Sequence, residues 1–173
     1  MKIIITENQY ELLKEMEDKP KVYHFPSLDI FGHEKPMDNW NLMQKFLAKK
    51  GNPDFTIDGD LDLYRTSVES LGNIKSVGGT LDLRHTPIES LGNLTTVEGS
   101  LFLYDAKFIK SLGNLTSVGG TLYLRRTPIK SLGKLTSVGG DLDLYDTPIS
   151  ENYTEEEIRS QIDIKGNLYI WKS

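Results

Sequence analysis

Aromatic and arginine side chains recur at a regular spacing in this chain, and their chemistry is that of recognition. One column of positions, 20 or 21 residues apart in its central part, reads Phe31, Tyr64, Arg84, Tyr104, Arg125, Tyr145 and Trp171. A guanidinium group stacked on an aromatic ring gains cation–π energy, and Tyr, Trp and Arg are enriched at protein-binding hot spots. The column therefore predicts a surface that stacks and pairs charges, not one that breaks bonds.

A second column carries carboxylates, and their neighbours suggest how the charges are balanced. It reads Asp29, Asp62, Asp82, Phe102, Tyr123, Asp143 and Tyr169, and the rim beyond it reads Arg65, His85, Asp105, Arg126 and Asp146. Aspartates on adjacent strands repel one another unless they are partnered. A hard cation is one partner, but Arg65 and Arg84 are the simpler one, and no metal or cofactor is expected.

Residues suited to catalysis do not form a recognisable group. His24, His33 and His85 fall in unrelated contexts, outside any nucleophile or metal motif. The carboxylate pair Asp62 and Asp82 has the composition of a glycosidase site, but the sequence indicates no cleft around it. We therefore expect a protein that is not an enzyme.

The elements that position these columns come from an internal repeat between Gly59 and Ile149. The strand-opening glycines Gly59, Gly79, Gly99, Gly120 and Gly140 are separated by 20, 20, 21 and 20 residues. So tight a period predicts a solenoid in which each unit buries its apolar side chains against its neighbours. Inward positions recur in every unit, as in the series Leu61, Leu81, Leu101, Leu122 and Leu142.

The Leu-x-Leu alternation within each unit predicts a short strand whose leucines point inward. Stacked units then form one parallel sheet with its intervening residues outward. Seven strands are predicted, near 28–31, 60–64, 80–84, 100–104, 121–125, 141–145 and 167–171. The first is assigned because Leu28-Asp29-Ile30 follows the Leu-x-Leu motif with isoleucine in the second place, and the last because Ile164–Leu168 matches Ile57–Leu61.

The pattern resembles the leucine-rich-repeat family, and TPIESLGNLTTV in particular is similar to bacterial internalin-type repeats. The resemblance implies a short right-handed β-solenoid. The usual ladder asparagine is replaced by Thr66, Thr86, Thr127 and Thr147, and by Ala106 in the third unit. Because the units are also short, we expect a flat solenoid with few or no helices on its convex side.

Three segments of one continuous domain follow from this pattern. Residues 1–56 form a helical N-terminal cap that includes the first strand, 57–150 form the repeat, and 151–173 form a C-terminal capping helix and the last strand. Helices are predicted at 7–16 from a Thr6–Gln9 capping box, at 38–50 from an Asp38 cap, and at 154–161 from a Thr154–Glu157 capping box. A short strand is predicted at 2–5.

Composition limits the partners and the compartment. The net charge of −5 argues against nucleic acid, since phosphate binding needs a basic face. There is no cysteine and no apolar run of membrane-spanning length, so a cytoplasmic protein without a membrane partner is expected. The opening MKIIITENQY resembles the starts of small tailed-bacteriophage proteins, which would make a host protein the target.

The leading hypothesis is a protein-binding module that uses the outward face of the parallel sheet. The expected partner-binding residues are Tyr64, Arg84, Phe102, Tyr104, Tyr123, Arg125, Tyr145 and Trp171. Three alternatives stay open. The aromatic residues suit binding to a carbohydrate chain. The alternating Tyr and Arg residues of the first column, the Tyr–Arg ladder, suit a purely stabilising role. An open end of the solenoid suits weak self-association in place of a monomer.

Overall fold

A computed structural model of the chain describes residues 6–7 and 22–171. The predicted strand at 2–5 and nearly all of the predicted helix at 7–16 lie outside these residues. Within them the protein is rich in β-structure and has few helices. No helix in the described ranges is long and apolar enough to cross a membrane.

Each repeat unit contributes one strand to each of two parallel sheets. The seven-stranded sheet contains β1 (Val22–Phe25), β2 (Asp54–Ile57), β4 (Ile74–Val77), β6 (Thr96–Val97), β8 (Ser117–Val118), β10 (Ser137–Val138) and β12 (Asp163–Ile164). The six-stranded sheet contains β3 (Leu61–Asp62), β5 (Leu81–Asp82), β7 (Leu101–Phe102), β9 (Leu122–Tyr123), β11 (Leu142–Asp143) and β13 (Leu168–Tyr169). In both sheets each strand pairs with the strands of the preceding and following units.

The six-stranded sheet confirms the predicted register of the leucines. Leu61 pairs with Leu81, Leu81 with Leu101, and so on to Leu142 with Leu168. The regular strands are only two residues long because a turn begins directly after the second leucine. The Thr66 hydroxyl donates to the carbonyl of Leu63 at 2.7 Å, and Thr86, Thr127 and Thr147 repeat this bond. The threonine at the ladder-asparagine position therefore closes the turn, and Ala106 lacks the hydroxyl to do so.

The predicted first strand at 28–31 is wrong. Leu28–Phe31 is a 3₁₀ helix that ends at Gly32, which has a φ of 73°. Leu28 and Phe31 are buried, three residues apart, which matches the three-residue turn of this helix and not the two-residue period of a strand. Phe31 and Asp29 are consequently not members of the outward columns.

The second sheet was not predicted. Four of its seven strands end in a valine: Val77, Val97, Val118 and Val138. A serine or threonine on the outward side precedes each of these valines, and an outward and an inward residue are too few to show the two-residue period of a strand. The seven-stranded sheet lies on the valine side of the repeat, and the six-stranded sheet lies on the leucine side.

Helices occur at both ends of the repeat. Helix α1 (Pro36–Lys49) buries Trp40, Met43 and Leu47, and it starts two residues before the predicted cap because Pro36 fits a first helical turn. Helix α2 (Pro148–Asn152) was not predicted. Helix α3 (Glu155–Gln161) has the predicted capping box, in which Thr154 and Glu157 bond each other's backbone N–H groups.

The extra residue of the 21-residue unit opens one side of the stack. Elsewhere Glu89 N–H bonds the Glu69 carbonyl and Lys130 N–H bonds the Lys110 carbonyl, at 2.8 and 2.9 Å. Among the described residues no such bond joins Lys110 to Glu89. The insertion places Lys107 and Phe108 where the other units have a single residue, Ser67 in the first and proline in the rest. It therefore separates the second and third units locally.

Two glycines at the same position of the second and third units show this separation. Gly92 and Gly113 have left-handed φ values of 62° and 60°. A Cβ atom on Gly92 would lie 2.0 Å from the Gly72 carbonyl oxygen, whereas one on Gly113 would have nothing within 4 Å. Of these two glycines, Gly92 is therefore required for space as well as for conformation, and Gly113 for conformation alone.

We expect Gly92→Ala to destabilise the protein more than Gly113→Ala. Both substitutions carry the left-handed penalty of about 1–2 kcal/mol. Gly92→Ala adds a steric cost of about 1–3 kcal/mol because backbone, not a flexible side chain, blocks the new methyl group. Urea unfolding of the two variants measures the difference, and equal losses would contradict it.

Candidate interaction surface

The outward side chains of the six-stranded sheet are presented by a repeated turn. In every unit the residue after the Tyr/Arg column has a positive φ, at 53° to 58°, although none is glycine: Arg65, His85, Asp105, Arg126 and Asp146. A left-handed conformation costs a non-glycine residue about 1–2 kcal/mol. The tightly paired backbone holds these rim residues in place, so the columns keep a constant geometry along the sheet.

The aspartate column anchors these turns. The Oδ1 atoms of Asp62, Asp82 and Asp143 accept the backbone N–H two residues later, at 2.9–3.0 Å. Asp62 and Asp82 lie on paired strands, as predicted. Within the described part of the chain no three His, Cys, Asp or Glu residues are grouped as metal ligands. Their hydrogen bonds to the backbone give these carboxylates a structural role in the turn.

Arg84 is held by groups of the protein itself. Its Nε atom donates to both carboxylate oxygens of Asp82 at 3.0 Å. Its guanidinium carbon lies 5.0 Å from the Tyr64 ring centre and 5.2 Å from that of Phe102. The hydrogen bond with Asp82 raises the pKa of Arg84. Arg84 therefore has its charge balanced within the surface.

Arg125 occupies the equivalent position two units later without a carboxylate. Its guanidinium carbon lies 4.2 Å from the centre of the Tyr145 ring, the shortest such separation among the described residues. Its Nε atom is buried and has no hydrogen-bond partner among the residues that the structure describes. Tyr123 replaces the aspartate that would have paired with it, as Asp82 pairs with Arg84. Arg125 is thus a cation that packs on an aromatic ring and lacks an acceptor.

The remaining aromatic residues form local clusters. Phe102 and Tyr123 stack with ring centres 4.8 Å apart and planes 8° apart. Tyr104 accepts a hydrogen bond from Arg126 at 2.7 Å, and the His85 ring meets it edge-on at 5.6 Å. Among the described residues of this column, the predicted Tyr–Arg stacking is therefore present in the pairs Tyr64–Arg84 and Arg125–Tyr145 and is not continuous.

All eight predicted partner-binding residues lie on the outer side of the six-stranded sheet, in two outward columns. Tyr64 is near one end and Trp171, 67% exposed, is at the other. Arg84, Phe102, Tyr104, Tyr123, Arg125 and Tyr145 lie between them and are partly buried. Arg126 and His85 were assigned to the rim, but their direct contacts with Tyr104 make them part of the same surface.

A cleft next to Phe108 was missed. It has a volume of about 470 Å³, is lined by Glu89, Lys107, Phe108 and Lys110, and opens where the second and third units separate. Phe108 is 55% exposed. The 21-residue spacing is the signal in the sequence, because one extra residue must leave the regular stack.

Comparison of the chain with protein-family models, with curated proteins and with solved structures gives no match.

The rim carries one ion pair with a clear effect on titration. The ammonium group of Lys107 donates a hydrogen bond to the Asp105 carboxylate, and His85 Nδ1 lies 3.9 Å from the same carboxylate. The hydrogen bond with Lys107 lowers the pKa of Asp105. A carboxylate with a lowered pKa stabilises the fold above its unfolded pKa, and this contribution is lost as the pH falls through the folded value.

We expect Lys107→Met to raise the pKa of Asp105 and to destabilise the protein at neutral pH by at most about 1 kcal/mol, because the lysine is exposed. The difference from the wild type should disappear in acid, where Asp105 is protonated in both. Titration by NMR and unfolding at several pH values measure both effects. Lys110→Met is the matched control, and an unchanged Asp105 pKa in Lys107→Met would contradict the assignment.

Proposed function

We propose that this chain is a non-enzymatic recognition module, a closed right-handed leucine-rich-repeat-like solenoid with helical caps at both ends. It binds another protein through the outer face of the six-stranded sheet. The two parallel sheets with one strand per unit in each, and the helices that flank the repeat, support this architecture. A cytoplasmic setting and a host-protein target form part of the same proposal.

The observation that carries the proposal is the unbalanced guanidinium of Arg125. The described residues supply no acceptor for the buried Nε–H of Arg125, and the side chain as a whole is only partly buried. A partner that places a carboxylate against the accessible part of the guanidinium would pair this charge. Phe102, Tyr123 and Tyr145 provide an apolar setting in which such a charged hydrogen bond is strong. We therefore expect the partner to place an Asp or Glu side chain at Arg125 and apolar side chains around it.

Arg84 has a different role in this proposal. Its guanidinium group already donates hydrogen bonds to Asp82, so the carboxylate of a partner would have to compete with that of Asp82. Arg84 instead fixes the orientation of the Tyr64 and Phe102 rings on either side of it. It acts as a positioning residue, and Arg125 is the contact residue.

The ring geometry favours a protein partner over a carbohydrate. A sugar stacks on the broad face of an aromatic ring. Phe102 and Tyr123 turn their faces toward each other at 4.8 Å, which is the strand spacing, so the rings present their edges to solvent. Ring edges and an arginine suit side chains and carboxylates better than the flat surface of a pyranose.

We expect wild-type protein used as bait in a lysate of the host type to capture a partner that the triple variant Tyr104→Ala, Arg125→Ala, Tyr145→Ala does not capture. Circular dichroism checks that the variant is folded. A control variant carries Ser76→Ala, Thr96→Ala and Ser117→Ala on the outer face of the other sheet and should capture normally. Equal capture by wild type and triple variant would refute the proposed surface.

With the captured partner purified, Arg125→Ala should weaken binding by about tenfold to a hundredfold, the value of a hydrogen bond to a charged group. Arg84→Ala should have a smaller effect because its charge is already paired. Arg125→Lys should not restore affinity, since an ammonium lacks the planar fork. Isothermal titration calorimetry measures all three, and a larger loss with Arg84→Ala would reverse the two roles.

A further inference from the structure

The two sheets end differently at the C-terminal side of the repeat. The last strand of the seven-stranded sheet is β12, and the last strand of the six-stranded sheet is β13. A terminal strand exposes N–H and C=O groups that another strand can bond. How each edge is treated therefore indicates whether it is closed or left for a partner.

The edge of β12 is closed by Arg159 from helix α3. Its guanidinium donates to the carbonyls of Ile164 and Gly166, both at 3.3 Å. These carbonyls occupy the positions of Val138 and Gly140, which accept bonds from Lys165 and Gly166 in the unit that follows them. Arg159 thus replaces the donors of a further unit.

The edge of β13 has no such closure within the described residues. The carbonyls of Asn167 and Tyr169 accept bonds from β11 and the residue after it, Leu142 and Leu144, at 2.9 Å. Alternate residues of a strand direct their main-chain groups to opposite sides, so those of Leu168 and Ile170 point away from β11. Neither residue makes a hydrogen bond across this edge to any other described residue.

The side chains along β13 also lack the usual protection of an edge. The segment Asn167–Trp171 carries no charge and no proline. Leu168 and Ile170 are only partly buried against the core, and Tyr169 is 42% exposed on the outer face. A neutral edge of this kind is suited to pairing with another strand.

We propose that two copies of this chain associate through β13 in an antiparallel pair, with the two-fold axis at Tyr169. Leu168 of each copy then lies opposite Ile170 of the other, and the four outward N–H and C=O groups of each copy make four hydrogen bonds in all. One strand offers both donors and acceptors at a spacing that its own antiparallel copy satisfies. This isologous pairing joins the two six-stranded sheets into one.

The side chains follow the same symmetry. Leu168 and Ile170 of the two copies cover each other's exposed sides, which extends the core across the junction. The two Tyr169 residues face each other in the non-hydrogen-bonded position, with Cα atoms about 4.5 Å apart. A charge introduced at this one position is therefore duplicated at the axis.

The test is a charge swap at Tyr169, followed by sedimentation velocity over a range of concentrations. Wild type should form a dimer. Tyr169→Lys and Tyr169→Glu should each be shifted toward the monomer, because like charges directly opposite each other repel. An equimolar mixture of the two variants should restore the dimer as a mixed species. Ser117→Lys, which adds the same charge on the other sheet, should dimerise as wild type does.

A second variant tests the main-chain bonds separately. Ile170→Pro removes an N–H that the bonding of β11 to β13 does not use, so the fold should tolerate it at this edge. Each copy loses one donor, and the dimer should weaken on the order of tenfold or more. A monomeric wild type at all concentrations, or a dimer that survives both Tyr169→Lys and Ile170→Pro, would overturn the proposal. A mixture that stays monomeric would overturn the two-fold axis at Tyr169.

Discussion

The parallel backbone ladder, with a step of about 4.8 Å from unit to unit, is the constraint on which the rest of this structure depends. The step is kept on two sides by strands and on the third by single hydrogen bonds, so each unit must reproduce its neighbour's path closely. Gly92 is needed because a methyl group there would strike the carbonyl of Gly72. The left-handed rim residues persist for the same reason, since the paired backbone leaves them no other conformation.

The same step determines what the outer face can display. Rings in adjacent units are separated by the stacking distance of aromatic groups, so Phe102 and Tyr123 stack without adjustment. Whether the charge of an arginine in the column is paired with a carboxylate then depends on the residue two positions before it. Aspartate there pairs with Arg84, and tyrosine there leaves Arg125 without a carboxylate. One substitution between otherwise equivalent units thus converts a stabilising contact into a candidate binding contact.

The sequence predicted the leucine register and the capped helix after Thr154, because the first depends on a local pattern that repeats and the second on a known capping pair. It failed at 28–31, where a Leu-x-Leu pattern lacks the preceding glycine and forms a 3₁₀ helix. It also missed the second sheet, whose strands are too short to show a period. The members of the surface could be predicted, but the partner of each arginine could not, because that depends on rotamers.

The missing bonds between the second and third units have a mechanical consequence. In a stacked array, stability is the sum of unit energies and of contacts between nearest neighbours, so one weak junction divides the array into blocks. A bridge between Ser70 and Ser90 also joins the first and second units, and one between Ser111 and Ser131 joins the third and fourth, whereas the described residues show no such bridge between the second and third. Among these four units the junction between the second and third therefore has the fewest backbone bonds, and bending between the two pairs of units is expected there.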